Sequence, residues 1–123
     1  MSTTATNTFL FLLRGGIAPE TLSPEQMQKQ IEKYMNYIED LRAKGHFLAG
    51  EPLDDAGKVL SGEGGRTITD GPFAESKEEV GGYFMVRARD LDEAVELSKG
   101  CPILANGGTI EVRPIAKIPG HAT

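Results

Sequence analysis

A helix with both ends marked divides the first half of this chain and limits what can surround it. Ser23-Pro24-Glu25-Gln26 combines an N-cap hydroxyl, a proline at the first helical position and a glutamine at the reciprocal capping position. Met27, Ile31, Tyr34, Ile38 and Leu41 then recur at helical spacing, and Gly45 supplies a left-handed stop. These signals predict a helix from Pro24 to Lys44, roughly 30 Å long at 1.5 Å per residue, enough to lie across a whole small sheet. One apolar stripe on so long a helix requires a sheet beneath it.

The strands that supply the sheet are legible on either side. Thr8-Phe9-Leu10-Phe11-Leu12-Leu13-Arg14 is apolar at both phases of a period-two pattern, which predicts a central strand covered on both faces. His46 to Gly50 reads as a short strand. Glu51 to Gly57 is a polar turn, Lys58-Val59-Leu60 returns, and Arg66-Thr67-Ile68-Thr69 is β-branched enough to pair with it. The intervening Ser61-Gly62-Glu63-Gly64-Gly65 invites a phosphate-loop reading. It has no following Lys-Ser or Lys-Thr and no helix, and Glu63 repels an anion, so it reads as a hairpin turn.

Gly82 to Ala88 is a second central strand. Asp90 with Glu93 caps a second helix, whose buried side is expected to be Leu91, Ala94, Val95 and Ser98. Gly100 and Pro102 end that helix, and residues from Thr109 to Ala116 form the last strand, with Ile110, Val112 and Pro114 alternating against Glu111, Arg113 and Ile115. Strand-helix-strand twice, with an extra hairpin between, is an α+β arrangement of the ferredoxin-like split βαβ kind, βαββαβ. Two helices cover only one face of such a sheet. The other face needs a second cover, and a two-fold homodimer provides one because the same patch on two copies is self-complementary.

At 123 residues this is one domain, expected over residues 8–118 with loose polar tails at 1–7 and 119–123. A net charge of −5 argues against a nucleic-acid surface. No apolar run is long enough to span a bilayer, and the N-terminus lacks a basic region ahead of an apolar one, so the chain is read as soluble and cytoplasmic, with no membrane partner. Its single cysteine, Cys101, cannot form an internal disulfide. No cofactor motif and no metal-ligand spacing is present.

The run Asp70-Gly71-Pro72-Phe73-Ala74-Glu75-Ser76-Lys77-Glu78 resembles the signature of the DGPF branch of the YCII-related family, small bacterial proteins of mostly unassigned activity. Supporting pieces are Gly45-His46-Phe47-Leu48-Ala49-Gly50-Glu51-Pro52, Asp90-Leu91-Asp92-Glu93-Ala94 and Gly108 to Pro114. The resemblance implies a dimeric α+β barrel built from nearly the whole chain. In a branch that resembles chlorinated-ring dehydrochlorinases, the catalytic pair is a histidine early in the first helix and an aspartate before a proline after the second. Here the first helix opens Pro24-Glu25-Gln26-Met27-Gln28, and Cys101 stands before Pro102, so neither member is present. Members of the DGPF branch also resemble proteins encoded beside, or fused to, alternative sigma factors.

Asp-Gly-Pro-Phe is first of all turn chemistry: Asp70 bonds nearby backbone, Gly71 is free to take positive φ, Pro72 fixes its own φ, and Phe73 anchors the loop. Asp70 is also a candidate catalytic acid, with His46 as its base partner at one cleft mouth. His46 has a structural reading too, as a cation at a helix C-terminus. Arg14, Glu111 and Arg113 are charges on otherwise central strands. They are either cross-strand pairs or the polar floor of a site for an anionic or hydroxylated small molecule. Cys101 follows a helix C-terminus, which raises a thiol pKa; it is a buried small hydrophobe or a lining residue of the same pocket. Glu75, Lys77, Glu78 and Glu79 read as a solvated rim. The classes left open are an acid–base enzyme, a non-catalytic ligand- or protein-binding module, and a dimeric scaffold without pocket chemistry.

Overall fold

The first strand, β1 (Asn7–Arg14), carries alternate side chains into the core: Phe9, Phe11 and Leu13 are buried, while Leu10, Leu12 and Arg14 are half-buried on the opposite face. The computed structural model describes residues 7–54, 56–71 and 80–118. The expectations for Phe73 as an anchor and for the charged rim of Glu75, Lys77, Glu78 and Glu79 fall outside those residues.

The marked helix, α1 (Pro24–Ala43), forms where its caps place it. The Gln26 amide donates to Ser23 Oγ at 3.1 Å and the Ser23 amide donates to Gln26 Oε1 at 2.9 Å, so two amides at the helix entrance are satisfied reciprocally. At the far end Gly45, at φ 80°, donates to the Arg42 carbonyl and His46 to the Leu41 carbonyl, the two bonds of a Schellman stop. Ser23→Ala is expected to cost about 1 kcal/mol, read as a lower urea midpoint at unchanged slope.

The chain continues through β2 (Phe47–Pro52), the hairpin β3 (Lys58–Ser61) and β4 (Thr67–Asp70), then β5 (Val80–Ala88), α2 (Leu91–Ser98), the four-residue α3 (Pro102–Ala105) and β6 (Thr109–Pro114). Four strands form an antiparallel sheet in the order β2-β5-β1-β6, and β3 with β4 forms a separate two-stranded sheet. The result is an α+β architecture consistent with a ferredoxin-like fold. Register puts Phe9, Phe11 and Leu13 opposite Val86, Phe84 and Gly82 on one side and opposite Pro114, Val112 and Ile110 on the other. Tyr37, Leu41, Ala94 and Ile103 close this layer from the helical side. Tyr37 packs edge-on to Phe84 and donates its hydroxyl to the Leu97 carbonyl at 2.7 Å, tying α1 to α2.

Several expectations are corrected. The seam of α1 runs through Tyr34, Tyr37 and Leu41, and Ile31 is 46% exposed, because six residues separate Ile31 from Tyr37 and at 100° per residue place them well apart on the helix surface. On α2, Leu91 and Val95 are exposed while Leu97, absent from the expected stripe, packs on the core. Asp90 does cap this helix, accepting from the Glu93 amide at 2.9 Å, but Glu93 reaches back to the Arg89 amide at 2.6 Å, one residue earlier than a standard capping box. β2 extends through Glu51 and Pro52, which an edge strand tolerates. The short helix α3, with Pro102 in its first turn, stands where only a connection was expected.

Gly71 does not take positive φ. A Cβ there would lie 2.5 Å from Val59 Cγ2, so the residue is glycine because the chain crosses close to the hairpin, where its amide donates to the Gly57 carbonyl at 3.0 Å. The loop between β3 and β4 is the hairpin turn read from the sequence, with Gly62, Gly64 and Gly65 all at positive φ. Among the described residues no helix is long and apolar enough to cross a membrane.

Candidate functional site

The open face of the four-stranded sheet follows directly from the register. With Phe9, Phe11 and Leu13 committed to the helices, the residues between them face away. Leu10 lies between Met85 and Arg113, and Leu12 between Tyr83 and Glu111. Ala49 and Glu51 extend the same rows onto β2, opposite Met85 and Tyr83. The face is therefore an apolar band of Leu10, Leu12, Tyr83 and Met85 bordered by charge. All four are half-buried within one chain.

Charge is concentrated along β6. Arg14 Nη1 donates to Glu111 Oε1 at 2.7 Å, and Arg113 Nε lies 3.7 Å from Glu111 Oε2. One carboxylate thus sits between two guanidinium groups. Arg14 is the more enclosed of the pair, its side chain 23% exposed against 44% for Glu111. An ion pair this exposed contributes at most about 1 kcal/mol to stability, so its chemical interest is the planar, cationic surface it offers. The structure brings together Arg14, Glu111 and Arg113, three of the residues singled out from sequence.

His46 and Asp70 each have a partner of their own. His46 precedes β2, and its Nδ1 lies 2.8 Å from the carbonyl oxygen of Arg87, across the edge of the sheet. A carbonyl only accepts, so Nδ1 carries a proton and Nε2 is the remaining atom for chemistry. Asp70 ends β4 and pairs with Lys58 on the hairpin, its side chain 89% exposed.

Cys101 lies in the core, 2% exposed, at the N-terminus of α3. Burial pushes its thiol from 9.0 up to about 11, with a backbone hydrogen bond at Ile103 pulling the other way. Desolvation, rather than the helix terminus invoked from the sequence, is thus the main cause. Burial likewise raises Tyr34 to about 12, with Cys101 adding to it. The sign follows: a thiol kept neutral by the fold contributes stability that is present below pH 9 and is lost as pH climbs toward 11. The melting temperature is expected to fall across that window, and Cys101→Ala to flatten the fall there. A thiol reagent at pH 8 should react with the native protein only at its opening rate.

Sequence reading underused Tyr83, Met85 and Arg87. Their signal was the phase of β5: once Phe84 and Val86 point inward, 83, 85 and 87 share the outer face. Among the described residues no three His, Cys, Asp or Glu side chains gather as metal ligands.

A model of the YCII-related domain matches residues 10–119, reaching all four strands that build this face. The chain belongs to the YCII-related family. An uncharacterized protein of Rhizobium meliloti (strain 1021) is 39% identical over 69 residues, 53% of this chain and 53% of that protein. The match therefore covers about half of each. In this YCII-related domain the open sheet face, lying opposite both helices, is where charge and apolar surface meet.

Proposed function

We propose that this protein binds a small anionic or hydroxylated molecule on the open face of its sheet, in a cleft formed when two copies pack face to face. The observation that carries the reading is the Arg14–Glu111–Arg113 corner beside the half-buried band of Leu10, Leu12, Tyr83 and Met85. Apolar walls with a few convergent polar groups are the usual composition of a small-molecule site. Two guanidiniums offer planar donors to a carboxylate or phosphate, and Tyr83 offers a ring for the remainder of the ligand. A second copy supplies the missing wall, in keeping with the dimeric α+β barrel of the DGPF branch, whose signature Asp70-Gly71-Pro72-Phe73 resembles.

Acid–base catalysis is the second reading. It is favoured by the fixed Nδ1 hydrogen bond of His46, which leaves Nε2 as a base, with Asp70 as the acid that would work beside it. Binding without catalysis is the simpler use of the same face.

The test is thermal melting at fixed protein concentration against small carboxylates, phosphates and hydroxylated aromatic acids. A true ligand at 100 times its dissociation constant adds about 2.7 kcal/mol. Arg113→Ala should lose most of that shift while its unliganded melting point stays close to wild type, since Arg113 is exposed. Equal ligand shifts in wild type and Arg113→Ala, or no shift with any compound, would remove the site from this face. Turnover that disappears in Asp70→Asn with affinity retained would select the enzyme; unchanged turnover would exclude Asp70 from catalysis.

A further inference from the structure

Among the described residues nothing covers the hairpin of β3 and β4. All eight of its strand residues are exposed, and Leu60 and Ile68, directly opposite each other in register, are each 60% exposed. The Lys58–Asp70 ion pair lies on the same face, two positions along. Val59 and Leu53 add 40% and 50% exposed apolar side chains at the root of the arm. A two-stranded hairpin is marginal in water unless one of its faces is packed. Among the described residues the strands of this one pair only with each other.

We infer that the hairpin is an arm that packs on the open sheet face of a second copy of this chain and roofs the partner's cleft. The inference rests on the face-to-face dimer proposed above and adds the element that closes it. One chain leaves two apolar surfaces bare, the Leu60–Ile68 pair and the Leu10, Leu12, Tyr83 and Met85 band, and two copies related by a two-fold axis offer one of each to the other. A foreign partner would have to match both surfaces. Charge permits the pairing: Asp70 is neutralised by Lys58 and Glu111 by Arg14, so an overall charge of −5 per chain does not set anions against each other at the contact.

The root of the arm is also in the right place. The Leu53 amide donates to the Gly81 carbonyl at 2.9 Å, which extends the β2–β5 pairing up to the arm and fixes its base at the end of the sheet where Arg14 pairs with Val80. The arm therefore starts at the β2 edge of the sheet, with β5 and β1 between it and β6. The site is incomplete in one chain, because its floor is a flat face until a partner's arm lies over it.

The experiment compares wild type, Leu60→Ser/Ile68→Ser and Leu10→Asp by sedimentation velocity over a range of concentrations, with amide hydrogen exchange on wild type. Both hairpin side chains are exposed within the chain, so the double variant keeps the monomer fold. The expected result is a dimer dissociation constant raised at least ~10-fold in the double variant and in Leu10→Asp, as for central apolar contacts. Amides of 58–61 and 67–70 should exchange more slowly in wild type as concentration rises. A dimer weakened by Leu10→Asp but not by the hairpin variant, with hairpin exchange independent of concentration, would overturn the arm and leave the face-to-face dimer standing. A wild type that stays monomeric throughout would overturn both.

Discussion

Phe11→Ala should destabilise the protein by about 3–5 kcal/mol, the cost of removing a large aromatic from a closed core. Phe11 has no exposed surface, and it sits in the central strand between Phe84 on β5 and Val112 on β6, under both helices. Nothing nearby can slide into the space without disturbing Tyr37, whose ring packs on Phe84 and whose hydroxyl is bonded to α2. The adjacent Leu12, pointing the other way, gives the contrast. In a monomer Leu12→Ala should cost much less, whereas if the proposed dimer forms its effect should grow with protein concentration. Urea denaturation of both variants at two protein concentrations checks this. A Phe11→Ala loss under about 1.5 kcal/mol would mean that the core is looser than the burial of Phe11 implies.

The second large effect is expected at Gly108. A Cβ at this position would fall 2.7 Å from the Arg14 carbonyl oxygen and also run into the Ile103 side chain. Ile103 can yield, but the Arg14 carbonyl belongs to the central strand and cannot. Gly108→Ala is therefore expected to cost roughly 1–3 kcal/mol, in the range of overpacked sites. Because the clash is with the backbone of Arg14, it should also displace the guanidinium that pairs with Glu111. The variant should then lose ligand-induced stabilisation beyond its loss of fold stability. Gly107→Ala is the matched comparison: its Cβ meets open space, so any cost there comes from the φ of 83° alone.

The parts of the fold written in short-range chemistry were legible. Ser23, Gln26 and Gly45 specify both ends of α1 through bonds within a few residues, and Asp90 does the same for the start of α2. Alternation along β1 gave its centrality, since only an inner strand can use apolar residues at both phases. What failed was the choice among apolar residues at similar spacing. Ile31 is as apolar as anything on α1, yet Tyr37 takes the core position because its hydroxyl finds the Leu97 carbonyl, a partner 60 residues away. Such a contact depends on how α1 and α2 pack, which no local window contains. Gly71 misled in the same way: its reason is a neighbour across the hairpin, Val59, and not its own φ.

The candidate site divides likewise. Arg14, Glu111 and Arg113 could be picked out as charges on strands that otherwise read as inner, and the structure sets them side by side. His46 and Asp70 have partners in the fold that the sequence did not name: the Arg87 carbonyl for the His46 ring and Lys58 for Asp70.

The place of the arm in the chain has a further consequence. β2 and β5 are hydrogen-bonded antiparallel neighbours, so a short turn would suffice to join them. The described hairpin of β3 and β4 lies in the chain between those two strands. Closing a longer excursion costs the fold little, about 0.6 kcal/mol for each doubling of its length. The segment assigned to roofing the partner's cleft is thus the one that can be lengthened, trimmed or rewritten at least expense to the core. Descendants of one scaffold can acquire different ligands by editing this cassette while every residue under the helices stays as it is.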